Sequence, residues 1–306
     1  MLRYDDLQVF VHTSDSGSLS AAARQLEISP AVASAALKRL ESELEVRLFA
    51  RSTRSLRLTP EGDAFLLHAR ASLRSLEEGR RLLQGGKDQI AGVLQLSAPS
   101  DFGRNLLLPW LDEFQARYPQ LSLRLLLGDR VTDLYRQPVD VAIRYGAPAD
   151  SSLVALPLAP DNRRVLCAAP GYLAERGEPR QPDDLREHNC LLYQLGGRVH
   201  DRWAFQRGRR SLTLTVAGDR VCDDADVVRR WALAGKGLGY KSWLDVAEDV
   251  RAGRLRLLLP EWQGEATPMN LLCTHRAQLT RPVTLLRAFV RERCDALLAE
   301  APWTRN

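Results

Sequence analysis

Arg51, Arg54 and Arg57 stand three residues apart, with Ser52 and Thr53 between the first two, and no acidic residue interrupts Arg47 to Leu58. Guanidinium groups flanked by neutral hydroxyl donors suit phosphate oxygens or a narrow minor groove. Glu41, Glu43 and Glu45 lie just before the run, so the bulk charge of this end conceals it. Other chemistry finds less support. His12, His68, His188, His200 and His275 lack metal-ligand spacing and a nucleophile elbow, and His200 and Asp201, adjacent in sequence, cannot easily face one nucleophile together. Gly235-x-Gly237-x-Gly239 has the glycine spacing of a dinucleotide loop, but a helical pattern precedes it and a strand pattern follows, the reverse of the order that chemistry needs. Cys167, Cys190, Cys222, Cys273 and Cys294 are odd in number, widely spaced and lack a C-x-x-C pair, which reads as reduced thiols. The residues point to a binding protein that is not an enzyme and uses no metal or cofactor.

The elements that carry the basic run can be read from apolar spacing. Leu7, Phe10 and Val11, then Leu19, Ala22, Ala23 and Leu26, then Val32, Ala36, Leu37, Leu40 and Leu44 recur at helical intervals, which predicts three short amphipathic helices. Between the second and third, Ser29 is a good N-cap and Pro30 fits the first turn, where its missing N–H is harmless. Helix, tight turn and helix make a DNA-reading unit. Leu56 and Leu58 alternate with polar residues as in a strand, so the arginine run is expected to form a β-wing. Thr59 and Pro60 then start a helix in which Leu66, Ala69, Leu73, Leu76 and Leu83 trace a coiled-coil seam. A long helix with one apolar seam between domains predicts a dimer.

Gly85 to Asp88 break that helix and mark a domain boundary. Beyond it, short apolar strands (Val93 to Ala98, Leu121 to Leu127, Val139 to Arg144, Arg164 to Ala169) alternate with a helix from Leu106 to Tyr118, the pattern of an α/β sheet. Strands at Cys190 to Gln194 and Ser211 to Val216 and helices at Ala225 to Ala234 and Trp243 to Ala252 read as a second lobe. A late strand, Met269 to Thr274, and a last helix, Pro282 to Ala299, return to the first, with crossings near Leu166 and Pro268. The cleft between such lobes is a natural ligand site. At 306 residues the chain has room for two or three such units, and its 26% charged residues are ordinary for a protein that folds in water. A formal charge of +5 and a pI near 9.1 permit nucleic-acid binding without requiring it. No stretch approaches the ~18 apolar residues of a membrane span. Met1 to Asp6 leads into no apolar run, so no secretory signal and a cytoplasmic location are expected.

These residues resemble the LysR-type transcriptional regulators over essentially the whole chain. The resemblance is carried by Gly17-Ser18-Leu19, Ala21-Ala22-Ala23, Lys38-Arg39-Leu40-Glu41, Leu48-Phe49 and Leu58-Thr59-Pro60-Glu61-Gly62, and more weakly by Leu108-Pro109, Asp140 to Arg144, Ala168-Ala169-Pro170 and Ala232 to Gly239. It implies a winged helix-turn-helix over 1–59, a dimerising linker helix over 60–86 and a two-lobed, periplasmic-binding-protein-like α/β effector domain over 87–306. Lobe 1 would comprise about 90–165 and 268–306, and lobe 2 about 166–267. The implied partners are double-stranded DNA, a small organic acid, further copies of the chain as a homodimer or homotetramer, and RNA polymerase. A solute-binding protein of transport would share the two-lobed domain, but the N-terminal reading unit speaks against it.

A recognition helix reads bases from its first turns, so Ser29, Pro30, Ala31, Ser34 and Ala35 are expected at the major groove, with Ser18 and Lys38 nearby. Ala35 and Ala36 stand where relatives often carry long polar side chains, and Pro30 where Gln is common. Small apolar side chains touch thymine methyls but make no bidentate hydrogen bonds, so sequence preference is expected to lean on the wing, on Ser29 and Ser34, or on DNA shape. For the effector, the resemblance points to Pro99, Ser100, Asp101 and Phe102 at a helix start, where backbone N–H groups favour an anion. Arg144 and Tyr145 would face the same cleft as a carboxylate clamp. Asp223, Asp224 and the helix start at Ala225 would join from the second lobe. Lys241 and Ser242 depart from relatives, where an apolar residue and proline are frequent, so Lys241 is a second charge for the pocket or lies on its rim.

Overall fold

The computed structural model describes residues 1–51, 56–84, 90–129, 139–147 and 153–304. The chain divides into two compact units, Met1–Gln89 and Ile90–Asn306.

In the first unit, α1 (Tyr4–Ser16), α2 (Leu19–Gln25) and α3 (Pro30–Leu44) precede a two-stranded antiparallel ribbon, β1 (Phe49–Arg51) and β2 (Leu56–Leu58), and a long helix, α4 (Pro60–Gln84). Leu7, Phe10, Val11, Leu37, Leu40 and Leu48 form the core, with Phe10 edge-on to Phe49 at 5.5 Å. Buried Glu41 ties α3 to the ribbon by accepting from the Leu48 and Phe49 N–H groups at 2.9 and 3.3 Å, and Arg47 neutralises it at 2.9 Å. Thr59 accepts from the Gly62 N–H at 2.9 Å and donates to the Arg47 carbonyl at 2.6 Å. A Cβ at Gly62 would sit 2.1 Å from the Leu48 carbonyl oxygen, so glycine there lets α4 lie against the ribbon base.

The seam along α4 divides. Leu66 and Ala69 are buried in this unit's own core and Leu73 packs on it, whereas Leu76 is 58% exposed. The side chain of Leu83 lies outside the described residues. A heptad pattern is equally satisfied by a folded neighbour and by a second helix, and here α1 and the ribbon claim its first half.

The second unit opens with β3 (Gly92–Ala98), α5 (Ser100–Phe102), a π-helical turn Gly103–Leu107, α6 (Leu108–Arg117), β4 (Leu121–Leu127), β5 (Val141–Tyr145) and β6 (Val154–Ala159). The helix therefore starts at Ser100, earlier than the apolar spacing from Leu106 suggested. Pro109 has no N–H for the Asn105 carbonyl, and the preceding turn widens so that the Leu108 N–H reaches back to Gly103. The chain then crosses to β7 (Arg164–Ala168), α7 (Pro170–Arg176), β8 (Cys190–Leu195), β9 (Arg198–His200), β10 (Arg202–Arg207), β11 (Arg210–Thr215), β12 (Val221–Cys222), α8 (Ala225–Leu233), β13 (Leu238–Ser242), α9 (Trp243–Arg251), β14 (Arg256–Leu258) and β15 (Gln263–Gly264). It returns with β16 (Met269–Cys273) and α10 (Arg281–Leu298).

Among the described residues, lobe 1 is a sheet in the order β4-β3-β5-β16-β6, and lobe 2 has β12-β8-β13-β7-β14 with β9 beside β8, plus a small sheet β11-β10-β15. The two crossings are tied together at Asn162, which is fully buried. Its side chain donates to Ser242 Oγ at 3.0 Å and to the Thr267 carbonyl at 2.8 Å, and its own carbonyl accepts from the Thr267 N–H at 2.8 Å.

Candidate functional site

Two regions gather the residues singled out in the sequence, one in each unit. In the first, Ser29 caps α3 by accepting from the Val32 N–H at 3.3 Å, and Ser18 caps α2 by accepting from the Ala21 N–H at 3.4 Å, so both hydroxyls are engaged as acceptors. Ala33, Ala36, Leu37 and Leu40 face inward, which leaves Pro30, Ala31, Val32, Ala35 and Lys38 exposed and Ser34 half-buried. Val32, counted in the sequence among inward positions, is 51% exposed. Its spacing fitted the apolar series, but it falls on the edge of the helical face that α1 and α2 cover. Arg39 donates to Asp6 at 2.6 and 3.2 Å, which fixes α3 against α1. Arg57 is exposed on β2. Ser52, Thr53 and Arg54 lie outside the described residues, as does the side chain of Arg51.

In the second unit, the parallel pairing of β3 with β4 puts Ala98 opposite Leu127, so the chain leaves both strands at one edge of the lobe. Ser100 and Asp129 emerge there together. The Asp129 carboxylate accepts from the Ser100 N–H at 2.8 Å and from the Ser100 hydroxyl, and it also accepts from the Ala225 N–H of the other lobe at 2.7 Å. The Ala225 N–H lies 3.0 Å from Ser100 Oγ as well. Two helix starts from opposite lobes thus converge on one carboxylate. Ser100 and Ala225 are among the residues expected from the sequence and Asp129 is not, although its place just beyond the carboxyl end of a strand is a signal for it. Arg144, at the end of β5, donates to Ser97 Oγ and to the Ile143 carbonyl, both at 2.7 Å. Burial pulls its guanidinium below the ordinary arginine range, against the opposing charge of Asp129.

The remaining expected effector residues are placed differently. Phe102 is fully buried and meets Trp110 edge-on at 5.7 Å, so its ring belongs to the core. Pro99 is buried, with its carbonyl accepting from the Gly103 N–H at 2.8 Å. Asp223 is exposed at the end of the β12 segment. Asp224 caps α8, accepting from Asp226 and Val227 N–H groups at 2.9 and 3.3 Å, and Arg104 of lobe 1 donates to it at 2.9 Å. Burial alone would raise its carboxyl, but Arg104 and the capping N–H groups hold it below the usual range.

Asp101, Lys241 and Tyr145 lie in a buried polar layer between the lobes. The Lys241 ammonium is 2.5 Å from Asp101 Oδ2, donates to the Ala225 carbonyl at 2.8 Å and stands 3.9 Å from Asp245. Burial penalises its charge, yet Asp101 and Asp245 outweigh that and keep it above the ordinary lysine range. The Tyr145 hydroxyl donates to Asp245 at 2.6 Å, and Asn105 bridges Asp101 and Asp226 at 2.8 Å each. With more acids than bases around Lys241, burial first and then the Asp101 charge push the Asp245 carboxyl up to about 7. Asp245, Asp226 and Asn105 were not singled out in the sequence, because a buried acid and an exposed one have the same letter.

The other chemistry considered in the sequence has a structural explanation. The cysteines are free, and burial pushes the Cys167, Cys190 and Cys294 thiols up to about 12, far from reactive thiolates. A Cβ at Gly237 would meet the Asn189 carbonyl oxygen at 2.4 Å, so this glycine serves close packing of the turn on the neighbouring chain. Among the described residues, no group of acids, histidines and cysteines is arranged to hold a metal, and no helix is long and apolar enough to cross a membrane.

The family model described as bacterial regulatory helix-turn-helix protein, lysR family, matches residues 4–63, and that of the LysR substrate binding domain matches residues 87–295. The chain belongs to the LysR family. It is 32% identical over 275 residues to the HTH-type transcriptional regulator DmlR of Escherichia coli (strain K12), covering 90% of this chain and 88% of the relative. It is 32% identical over 283 residues to the transcriptional activator TtdR of the same strain, covering 92% and 89%. Among solved structures, CrgA, a LysR-type regulator from Neisseria meningitidis, superposes with a TM-score of 0.59 at 30% identity over 94% of this chain and 98% of its own. This LysR-type protein is accordingly a DNA-binding transcriptional regulator with an effector-binding domain, and not an enzyme.

Proposed function

We propose that this regulator senses a small organic anion whose carboxylate takes the place Asp129 holds between the lobes. The observation that carries the reading is the convergence of the Ser100 and Ala225 N–H groups on one carboxylate, at 2.8 and 2.7 Å, with Arg144 at the end of the neighbouring strand β5. Donors fixed by backbone geometry favour a charged oxygen whether it belongs to the protein or to a ligand. An acid that displaces Asp129 changes what joins Ser100 to Ala225, which is how binding would shift the lobes.

On the DNA side, Lys38, Arg51, Ser52, Thr53, Arg54 and Arg57 meet phosphates or the minor groove, and Ser18, Ser29, Pro30, Ala31, Ser34 and Ala35 lie over the major groove. Residues 1–59 read DNA, 60–86 join copies of the chain, and 87–306 bind the effector, in a cytoplasmic homodimer or homotetramer that works with RNA polymerase.

The test is thermal melting of the full-length protein with a panel of small carboxylic acids and the matching neutral amides. A bound acid at a hundredfold excess over its dissociation constant stabilises by about 2.7 kcal/mol. At least one acid should raise Tm where its amide does not, and Asp129→Ala, which vacates the nest, should bind that acid more tightly. Indifference of both proteins to every acid would overturn the reading.

A further inference from the structure

We infer that the recognition helix reads its half-site through thymine 5-methyl groups, with Val32 and Ala35 as the specificity-determining side chains. The inference rests on the DNA-binding function of this unit and names what that helix selects.

The exposed surface of the first turns of α3 is almost entirely hydrocarbon. Pro30, Ala31, Val32 and Ala35 face solvent. Ala31 and Ala35 are one turn apart and Val32 and Ala35 are three residues apart, so their methyl groups form one continuous strip. The polar residues of these turns are hydroxyls, which offer one donor each, and the nearby guanidinium is paired. The Ser29 hydroxyl accepts from the Val32 N–H, Ser34 is half-buried, and Arg39 holds Asp6. No amide or guanidinium on the exposed part of these turns is available for the two-point hydrogen bonds that identify guanine or adenine.

Val32 lies outside the buried clusters of this unit. It is a β-branched residue, mildly unfavourable in a helix, and it is 51% exposed while its neighbours Ala33 and Ala36 fill the core. An isopropyl group presented to water at the reading end of a DNA-binding helix matches the one apolar feature of the major-groove floor, the 5-methyl of thymine. Lys38, exposed on the following turn, and Arg57 on β2 supply the positive charge that brings the strip to the groove. Affinity and selectivity are thereby divided between cations at the rim and hydrocarbon at the centre.

The experiment uses full-length protein to select sites from a random duplex library and then replaces each thymine of the best site by deoxyuridine, which keeps every hydrogen-bonding group and loses only the methyl. Replacement at the contacted positions should weaken binding about fourfold per methyl. Val32→Ala should lose the preference for thymine over uracil at the position Val32 contacts and keep it at the one Ala35 contacts, while Arg57→Ala should weaken both duplexes equally. Val32→Thr, the same shape with a hydroxyl in place of one methyl, should show a reduced preference. A selected site that binds equally well with all its thymines replaced would overturn this inference while leaving DNA binding intact. Enrichment of no site at all would overturn the DNA-binding reading and this one with it.

Discussion

Lys241 illustrates how one residue changes role with its surroundings. As a letter beside a glycine-rich turn it is a spare charge for a ligand; in the folded domain its ammonium is spent on Asp101, and the surplus acid of the layer is Asp245. Asp245 faces Tyr145, Lys241 and Asp101, with Arg164 further off, and its carboxyl stands at about 7, above the ordinary carboxylate value it would have in the unfolded chain. A raised acid makes the folded state take up a proton that the unfolded state has released. Its contribution to stability is therefore present at low pH and is lost as pH rises from the ordinary carboxylate range to about 7, at up to about 1.4 kcal/mol per pH unit. Asp245→Asn should flatten the stability curve of the second unit over that window. Urea melts at pH 5 and pH 7 would show it, and an unchanged slope in the variant would assign the proton elsewhere.

At the scale of elements, the apolar face of α4 is divided. Its first turns complete the core of the DNA-binding unit, whereas Leu76 further along is exposed. Substitutions on the same stripe should therefore separate. Leu66→Ala should cost about 2–5 kcal/mol of stability in the first unit, as for other buried leucines. Leu76→Ala should change the stability of the folded unit by less than about 0.5 kcal/mol and should weaken self-association. Sedimentation and denaturant melts measure the two effects independently. Loss of stability at Leu76 without any change in association would mean that the helix packs on its own chain throughout.

At the scale of the molecule, net composition understates local charge. The run from Arg47 to Leu58 is free of acids, whereas the whole chain has 43 basic and 38 acidic side chains. If Arg54 neutralises one phosphate, Arg54→Ala should lower the slope of log affinity against log salt by about 0.9 per site in contact. Affinity measured from low to moderate salt gives that slope directly, and parallel lines for the two proteins would place Arg54 away from the backbone. In the second unit, Arg104 with Asp224, Asn105 with Asp226 and Lys241 with Asp101 each join one lobe to the other. Both crossings also meet at Asn162, so the cleft is braced on two sides.

The helix-turn-helix, the wing, the capping of α3 by Ser29 with Pro30 in its first turn, and the main strands and helices of both lobes were legible in the amino-acid order, whereas β6, which contains Pro157, and the shorter elements α7, β9, β10, β12, β14 and β15 were not. Periodicity, capping and turn chemistry act between residues a few positions apart. The return of Met269–Cys273 to the first lobe was legible too, because a strand and a helix were left over once the second lobe was complete. What could not be read is who faces whom. Asp129 meets Ser100 and Ala225, and Asp101 meets Lys241, across 29 to 140 residues of chain. The outward turn of Val32 and the division of the α4 seam likewise depend on which faces neighbouring helices cover. Desolvation and partner choice are properties of packed surroundings, and no local pattern of residues encodes them.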